Sequence, residues 1–111
     1  MLSNQEKVEL EKWLSVREKI IDIKAGCFFV FSDPTRVKIV ALLLKHGELC
    51  TSDMADCIGI SLSAVSHQMR MFEERNLVIR EKHGQHVCYT LSDEATGCQE
   101  AIAEIKHLLV D

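Results

Sequence analysis

The first part of the chain shows hydrophobic residues at helical intervals. They begin at Leu10, after a polar opening in which Ser3 and Glu6 have the spacing of a capping box. Neither proline nor glycine interrupts the pattern before Gly26. The pattern therefore predicts one long helix, or two helices in close succession, over residues 4–31.

A second helix is predicted from the sequence "SDPTR" onward. Asp33 can cap its amino end and Pro34 suits its first position, where a missing N–H costs nothing. The helix is apolar nearly all round and ends at Gly47. We expect it to be the core helix of the fold, with these apolar members: Val37, Ile39, Val40, Leu42, Leu43 and Leu44.

The following stretch has the pattern of a helix-turn-helix. Thr51 or Ser52 can cap a short helix, Gly59 makes a turn, and Ser61 caps a longer helix. The longer helix has one inward apolar stripe, formed by Leu62, Val65, Met69 and Phe72. Its opposite side carries Ser63, Ala64, His67, Arg70 and Met71. Small and hydrogen-bonding side chains of this kind suit a helix that enters the major groove of DNA.

A β-hairpin and a last helix complete the predicted elements. The segment "LVIREKHGQHVCYTL" alternates as a hairpin with a polar tip at His83 and Gly84. Such a hairpin is a wing, whose tip residues Lys82, His83, Gln85 and His86 can reach DNA beside the recognition helix. The last helix, from about Asp93, carries an apolar seam of Cys98, Ala101, Ile102, Ile105, Leu108 and Leu109. A second copy of the chain is the expected cover for that seam.

Length and charge narrow the class of protein. The 111 residues make one domain, 1–111, and 47% of them are hydrophobic. The formal net charge is −4, but residues 61–86 alone sum to +1 and the remainder to −5. An acidic body with a weakly basic face is compatible with steering toward DNA. No apolar run has the roughly 20 residues of a membrane span, and the amino terminus is charged, so we expect a cytoplasmic protein without membrane contact.

The five cysteines are odd in number and are not clustered. Because cytosolic thiols are kept reduced, we expect free thiols rather than a disulfide framework. Cys27, Cys57, Cys88 and Cys98 suit packing positions. Cys50 lies beside a helix start, where the dipole favours thiolate, and is the best candidate for a sensor.

Four blocks, in register, resemble the ArsR/SmtB family of winged helix-turn-helix repressors: "SDPTRVKIVALL", "GELCTSDMADCIGIS", "SAVSHQMRMFEERNLV" and "REKHGQHVCYTLSD". The resemblance covers roughly residues 20–93. It implies a mainly α fold with a two-stranded β-hairpin wing, and a homodimer built through the helices at both termini. It also implies binding to palindromic double-stranded operator DNA, repression of transcription, and release by an inducer that is often a metal or metalloid ion.

The resemblance assigns DNA contacts to the start of the recognition helix. "SAVSHQ" matches the family motif there, so Ser63, Ser66, His67 and Gln68 inherit contacts to bases and phosphates. Helical periodicity independently selects Ser63, His67 and Arg70. Ser66 and Gln68 lie on the flanks of the outward face and depend mainly on the resemblance. His67 could otherwise be a structural histidine, and the wing histidines ordinary loop residues.

Both family metal sites are incomplete here. The family's box Glu-Leu-Cys-x-Cys-Asp-Leu is "ELCTSDM", which keeps Cys50 and has Ser52 in place of the second cysteine. On the last helix Asp93 fits the family's zinc site, but Ala95 replaces its first histidine. Cys50 is therefore a candidate metal ligand without an assigned partner set, with plain packing as its alternative, and a thiophilic ion (Cd, Pb, As or Zn) is the hypothesis for the inducer.

The sequence also leaves alternatives to an ion-released repressor. Reactive sulfur species, a redox signal or no inducer at all are alternatives to an ion. An enzyme is disfavoured, because no cysteine or histidine has a positioned base or a glycine-rich loop at an interpretable spacing. A winged helix used for protein association fits the net charge of −4. Salt dependence distinguishes DNA binding from protein association, because binding through phosphate contacts weakens steeply as the salt concentration rises, whereas an apolar protein contact need not weaken.

Overall fold

The computed structural model describes residues 1–93 and 99–109. Their helices and strands, in chain order, are α1 (Asn4–Ser15), α2 (Glu18–Phe31), α3 (Pro34–His46), β1 (Glu48–Cys50), α4 (Thr51–Ile58), α5 (Leu62–Glu74), β2 (Val78–His83), β3 (His86–Leu91) and α6 (Gln99–Lys106), followed by a 3₁₀ turn (His107–Leu109). The helix-turn-helix is α4 and α5, and the wing is β2 and β3. The predicted start of the last helix near Asp93, with Cys98, lies largely outside the described residues.

The predicted helix starts are mostly confirmed. Ser3 and Glu6 form a reciprocal capping box at α1, and the Asp33 carboxylate accepts a hydrogen bond from the Arg36 N–H at α3. Ser61 caps α5 by accepting from the Ala64 N–H at 3.1 Å. The region 4–31 is two helices, which was one of the two predicted alternatives.

The predicted cap of α4 was wrong. Neither Thr51 nor Ser52 precedes the helix, because α4 begins at Thr51 and its N-cap is Cys50, without a side-chain cap hydrogen bond. The reason is tertiary: Cys50 is also the last residue of β1 and pairs with Cys88 of β3. A strand therefore runs directly into the helix.

The sheet has three strands rather than the two predicted. Its order is β1-β3-β2, and all pairs are antiparallel. The hairpin itself is as predicted, with His83 opposite His86 and a two-residue turn in which Gly84 has a φ of 63°. β1 has only three residues, too few for period-two alternation to reveal it in the sequence.

The core lies between α3, α5 and the inner face of the sheet. Val65, Met69 and Phe72 of the predicted α5 stripe are fully buried, but Leu62 is about half exposed, so its assignment to the stripe was wrong. Leu62 is the first residue of α5 and precedes the turn that packs on the core. The buried cluster also includes Ile39, Val40, Leu43, Met54, Leu77, Val78 and Tyr89.

Two residues of the seam that we predicted to be uncovered on the last helix are covered by the chain itself. Ile102 and Ile105 are buried in the chain's own core, where α6 packs on α3. Leu108 is exposed. The side chains of Cys98, Ala101 and Leu109 are outside the described residues. The apolar spacing was correct, but α3, being apolar nearly all round, offers a partner within the same chain.

Uncovered apolar surface lies instead on the first two helices. Every residue of α1 is exposed, and α2 buries only Gly26, Cys27 and Val30. The exposed large apolar side chains of this surface are Val8, Leu10, Trp13, Leu14, Val16, Ile20, Ile21, Phe28 and Phe31. Within the described ranges, no helix combines the length and hydropathy that crossing a membrane requires.

Candidate nucleic-acid interface

Helix α5 exposes one polar side and buries the other. Val65, Met69 and Phe72 lock its rotation about its own axis because they are fully buried. Ser63, His67 and Arg70 are exposed on the other side, at intervals of four and three residues. The helix therefore presents a hydroxyl, an imidazole and a guanidinium in one line, on a rigid support.

Ser66 and Gln68 lie on the flanks of this line and are half-buried. The Gln68 side-chain oxygen accepts a hydrogen bond from Nε of Arg36 at 3.1 Å. That contact orients the Gln68 amide from behind. The structure thus brings together Ser63, His67 and Arg70, which helical periodicity selected. Ser66 and Gln68, which were assigned mainly from the family resemblance, lie at the edge of this exposed line.

Arg36 is a positioning residue that the sequence interpretation missed. Its guanidinium donates to the Phe29 carbonyl oxygen at 3.2 Å and to the Ser32 hydroxyl at 2.9 Å, besides Gln68. It also lies 4.0 Å above the centre of the Phe29 ring. The sequence did contain a signal for this role. Arg36 is a cation in the first turn of α3, where the helix dipole disfavours positive charge, so its presence there indicates a specific contact.

Phe29 extends this support from α2 to α5. Its ring packs edge-on against Phe72, with the ring centres 5.5 Å apart. The guanidinium of Arg75, just after α5, lies 3.8 Å from the centre of the same ring. The two arginines and two rings therefore fix α5 relative to α2.

We expect Arg36→Ala to lower both stability and DNA affinity. The substitution leaves the half-buried Gln68 oxygen without its donor, at a cost of up to about 1 to 3 kcal/mol. The Phe29 carbonyl also loses the guanidinium but keeps the Ser32 hydroxyl as a donor. Urea unfolding measures the stability, and a fluorescence titration with DNA from upstream of the gene measures the affinity. Lys38→Ala, an exposed residue of the same helix, is the control. Equal behaviour of the two variants would contradict the positioning role.

The wing is joined to α5 at its base. Oε1 of Glu73 lies 3.8 Å from Nε of Arg80 on β2. Leu77, which precedes the hairpin, and Val78, the first residue of β2, are buried. Burial raises the pKa of the Tyr89 hydroxyl, and the carboxylate of Glu73 raises it further. The base of the hairpin is therefore fixed to α5 and to the core, and the tip of the hairpin extends away from that base.

The two predicted wing contacts differ in their surroundings. Lys82 and His83 are both exposed near the tip. Nε2 of His83 lies 3.3 Å from a carboxylate oxygen of Glu48 and 3.9 Å from one of Glu81. A neighbouring carboxylate pair attracts cations and repels phosphate, so Lys82 is better placed than His83 for a backbone contact.

The prediction that the cysteines are free thiols was wrong. Cys50 and Cys88, which are direct cross-strand partners, form a disulfide, and Cys27 is disulfide-bonded as well. Cys57 is free, as predicted, but it is exposed rather than part of the core. The sequence could not show the pairing because the 38-residue separation gives no hint that β1 lies against β3. As a metal ligand, Cys50 requires reduction of this bond.

The described residues include one group of side chains with the spacing of a metal site. The ligand atoms of Glu48, Glu81 and His83 all lie within 4.8 Å of one another. The group is on the sheet, beside the disulfide, and at some distance along the chain from the family's zinc position at Asp93. His83 was predicted as a DNA contact, and this second possible role was not apparent from the sequence.

Comparison with known proteins gives consistent matches. The family model described as "Bacterial regulatory protein, arsR family" matches residues 33–80. The chain is 33% identical to the transcriptional repressor SmtB homolog of Synechocystis sp., covering 83% of this chain and 73% of that protein. It is 35% identical to the cadmium resistance transcriptional regulatory protein CadC homolog of Staphylococcus aureus, covering 82% and 74%. Among solved structures, reduced HlyU from Vibrio cholerae matches with a TM-score of 0.66 and 27% identity, over 86% of this chain and 94% of that chain.

Proposed function

The chain belongs to the ArsR family of bacterial regulatory proteins, and we propose that it is a homodimeric repressor that binds operator DNA through α5. It is a regulator of transcription rather than an enzyme, as its relatives are. The observation that carries the proposal is the exposed line of Ser63, His67 and Arg70 on a helix whose other side is fully buried.

This geometry supports a specific set of proposed DNA contacts. The exposed line enters the major groove, where Ser63 and His67 hydrogen-bond base edges or phosphates and Arg70 provides the cation. Ser66 and Gln68 contact DNA from the flanks of the line. Lys82 and His83 of the wing reach the adjacent backbone. The total charge of the domain is −4, but the stretch 61–86, which holds these residues, has a net charge of +1.

The dimer is supported by the uncovered apolar surface of α1 and α2. A single chain leaves all of α1 in water, including Leu10, Trp13 and Leu14. Exposed contiguous apolar surface of this kind marks an interface. Two linked copies then read the two halves of a palindromic operator.

We place the inducer in the class of thiophilic metal or metalloid ions. The relative from S. aureus is by name a cadmium resistance regulator, and this chain has Cys50 at the start of the first helix of the helix-turn-helix. Soft ions of this class bind thiolates. A repressor acts where its operator is, so the protein functions in the cytoplasm, where a reducing environment supplies thiols.

Salt dependence of binding tests the proposal. The affinity of the dimer for DNA from upstream of its gene should fall as a straight line of log K against log salt, with a slope of about −0.9 per phosphate contacted. Fluorescence anisotropy at several salt concentrations measures it, and scrambled DNA of the same length is the control. A protein-association module would bind neither DNA, or would bind both alike and weakly.

A further inference from the structure

The outer face of the sheet carries an unusual row of side chains. The strand register places Cys50 of β1 opposite Cys88 of β3, and Cys88 opposite Glu81 of β2. Partners directly across antiparallel strands have side chains on the same face, so these three form one line across the sheet. Side chains two residues away share the face, which adds Glu48 on β1 and His83 on β2.

The alternate residues of the same strands form the opposite face. Leu49, Val78 and Tyr89 pack into the core from that side. The cysteine row therefore lies on the side of the sheet away from the core. Cys88, on the central strand, is almost completely buried between its neighbours, and Cys50 is half-buried, whereas Glu81 and His83 are exposed.

We propose that the reduced protein binds one thiophilic divalent cation on this face, through the thiolates of Cys50 and Cys88, with Glu81 and His83 as the remaining ligands. The geometry points to a single ion for two reasons. The disulfide shows that the two sulfur atoms can approach each other closely. Glu81 is the direct cross-strand partner of Cys88, and the ligand atoms of Glu81, His83 and Glu48 lie within 4.8 Å of one another, close to the roughly 3 to 4 Å separations that a four-coordinate ion imposes.

Binding follows reduction. A cellular dithiol donates two electrons and two protons to the Cys50–Cys88 bond, which becomes two thiols while the donor becomes a disulfide. The cation then displaces both thiol protons and binds two thiolates. Two sulfurs with one nitrogen and one oxygen suit Cd²⁺ or Zn²⁺ and disfavour Mg²⁺ and Ca²⁺, which prefer oxygen ligands. Glu48, 3.3 Å from His83 Nε2, competes for that imidazole until the ion takes its place.

The site connects the helix-turn-helix to the wing. Cys50 is the N-cap of α4, which packs against α5, and Cys88, Glu81 and His83 belong to the wing. A bound ion would therefore fix the wing relative to the helix-turn-helix. It would also take His83 away from DNA. This effect on DNA rests on the proposed function, whereas ion binding itself does not.

Titration of the reduced, full-length protein with Cd²⁺ in the absence of oxygen tests the proposal. Sulfur-to-metal charge-transfer absorption should saturate at one ion per chain. Cys88→Ser and the half-buried Cys50→Ser should each lose at least roughly 100-fold in affinity, and Glu81→Gln about tenfold, the scale reported for changes around metal sites. Circular dichroism checks that each variant is folded. Cys57→Ser and Glu9→Gln, both at exposed positions, are the controls.

Two outcomes overturn the site. One is unchanged Cd²⁺ affinity in folded Cys88→Ser and Cys50→Ser. The other is loss of the charge-transfer band in Cys27→Ser while both of those variants retain it. The proposed function fails separately: an ion-free, reduced protein that does not bind its upstream DNA contradicts repression but leaves the ion titration valid.

Discussion

Replacing Leu14 by aspartate is expected to convert the dimer into a folded monomer that has lost operator binding. Leu14 is 52% exposed in the single chain and α1 buries nothing, so the substitution removes no core contact. In the dimer, each copy would lose about half of the roughly 1.5 to 3 kcal/mol that complete leucine burial contributes, because Leu14 is already half covered, and would place a charge in an apolar interface. Because 1.4 kcal/mol is tenfold, the dissociation constant of the dimer should rise at least roughly 100-fold.

Sedimentation velocity over a concentration series measures this change, and circular dichroism checks the fold. Gln5→Asp adds the same charge at a polar, exposed position of the same helix and should leave the dimer intact. Operator binding should fall with dimerisation, because a single copy reads only one half-site. A Leu14→Asp protein that remains dimeric would place the interface outside α1.

Arg70→Ala is expected to weaken operator binding strongly without unfolding the protein. Arg70 is the permanent cation of the exposed line on α5, and its side chain is in water in the free protein. A specific base contact is worth about 1 to 3 kcal/mol, and a dimer makes it twice, so the operator complex should lose roughly 2 to 6 kcal/mol.

The salt slope identifies the kind of contact that Arg70 makes. A phosphate contact predicts uniform loss across DNA sequences and a shallower slope, whereas a base contact predicts relaxed specificity at one position of each half-site. Lys45→Ala, which removes an exposed cation from α3, is the control. If Arg70→Ala and Lys45→Ala bind operator DNA equally well, α5 does not dock as proposed.

Local sequence signals were sufficient for most of the fold. Ser3, Asp33 and Ser61 each cap the helix that the pattern assigned to them, and Gly59 adopts the left-handed conformation of the predicted turn. These features depend on residues three or four apart, so they can be recognised in a single sequence. The polar line on α5 was predictable for the same reason, because helical periodicity places Ser63, His67 and Arg70 together.

Contacts between distant segments could not be predicted in this way. Ile105 had the spacing of an interface residue, yet it is buried on α3, because amphipathic spacing specifies a face and not the partner that covers it. The contact by which Arg36 supports α5 also joins residues far apart in the sequence, since 32 positions separate Arg36 from Gln68. Cys57 shows the converse: it was assigned to the core from its helix position but is exposed.

Short-range periodicity and turn chemistry were enough to predict the helices, three of their caps, the hairpin and the polar face of the recognition helix. The assembly of the sheet, in contrast, depends on contacts between distant parts of the chain. β1 is three residues long, and its pairing with β3 brings Cys50 to Cys88 and aligns both with Glu81. That arrangement depends on hydrogen bonds between strands about 40 residues apart, and on core packing beneath them, neither of which leaves a periodic signal in the chain.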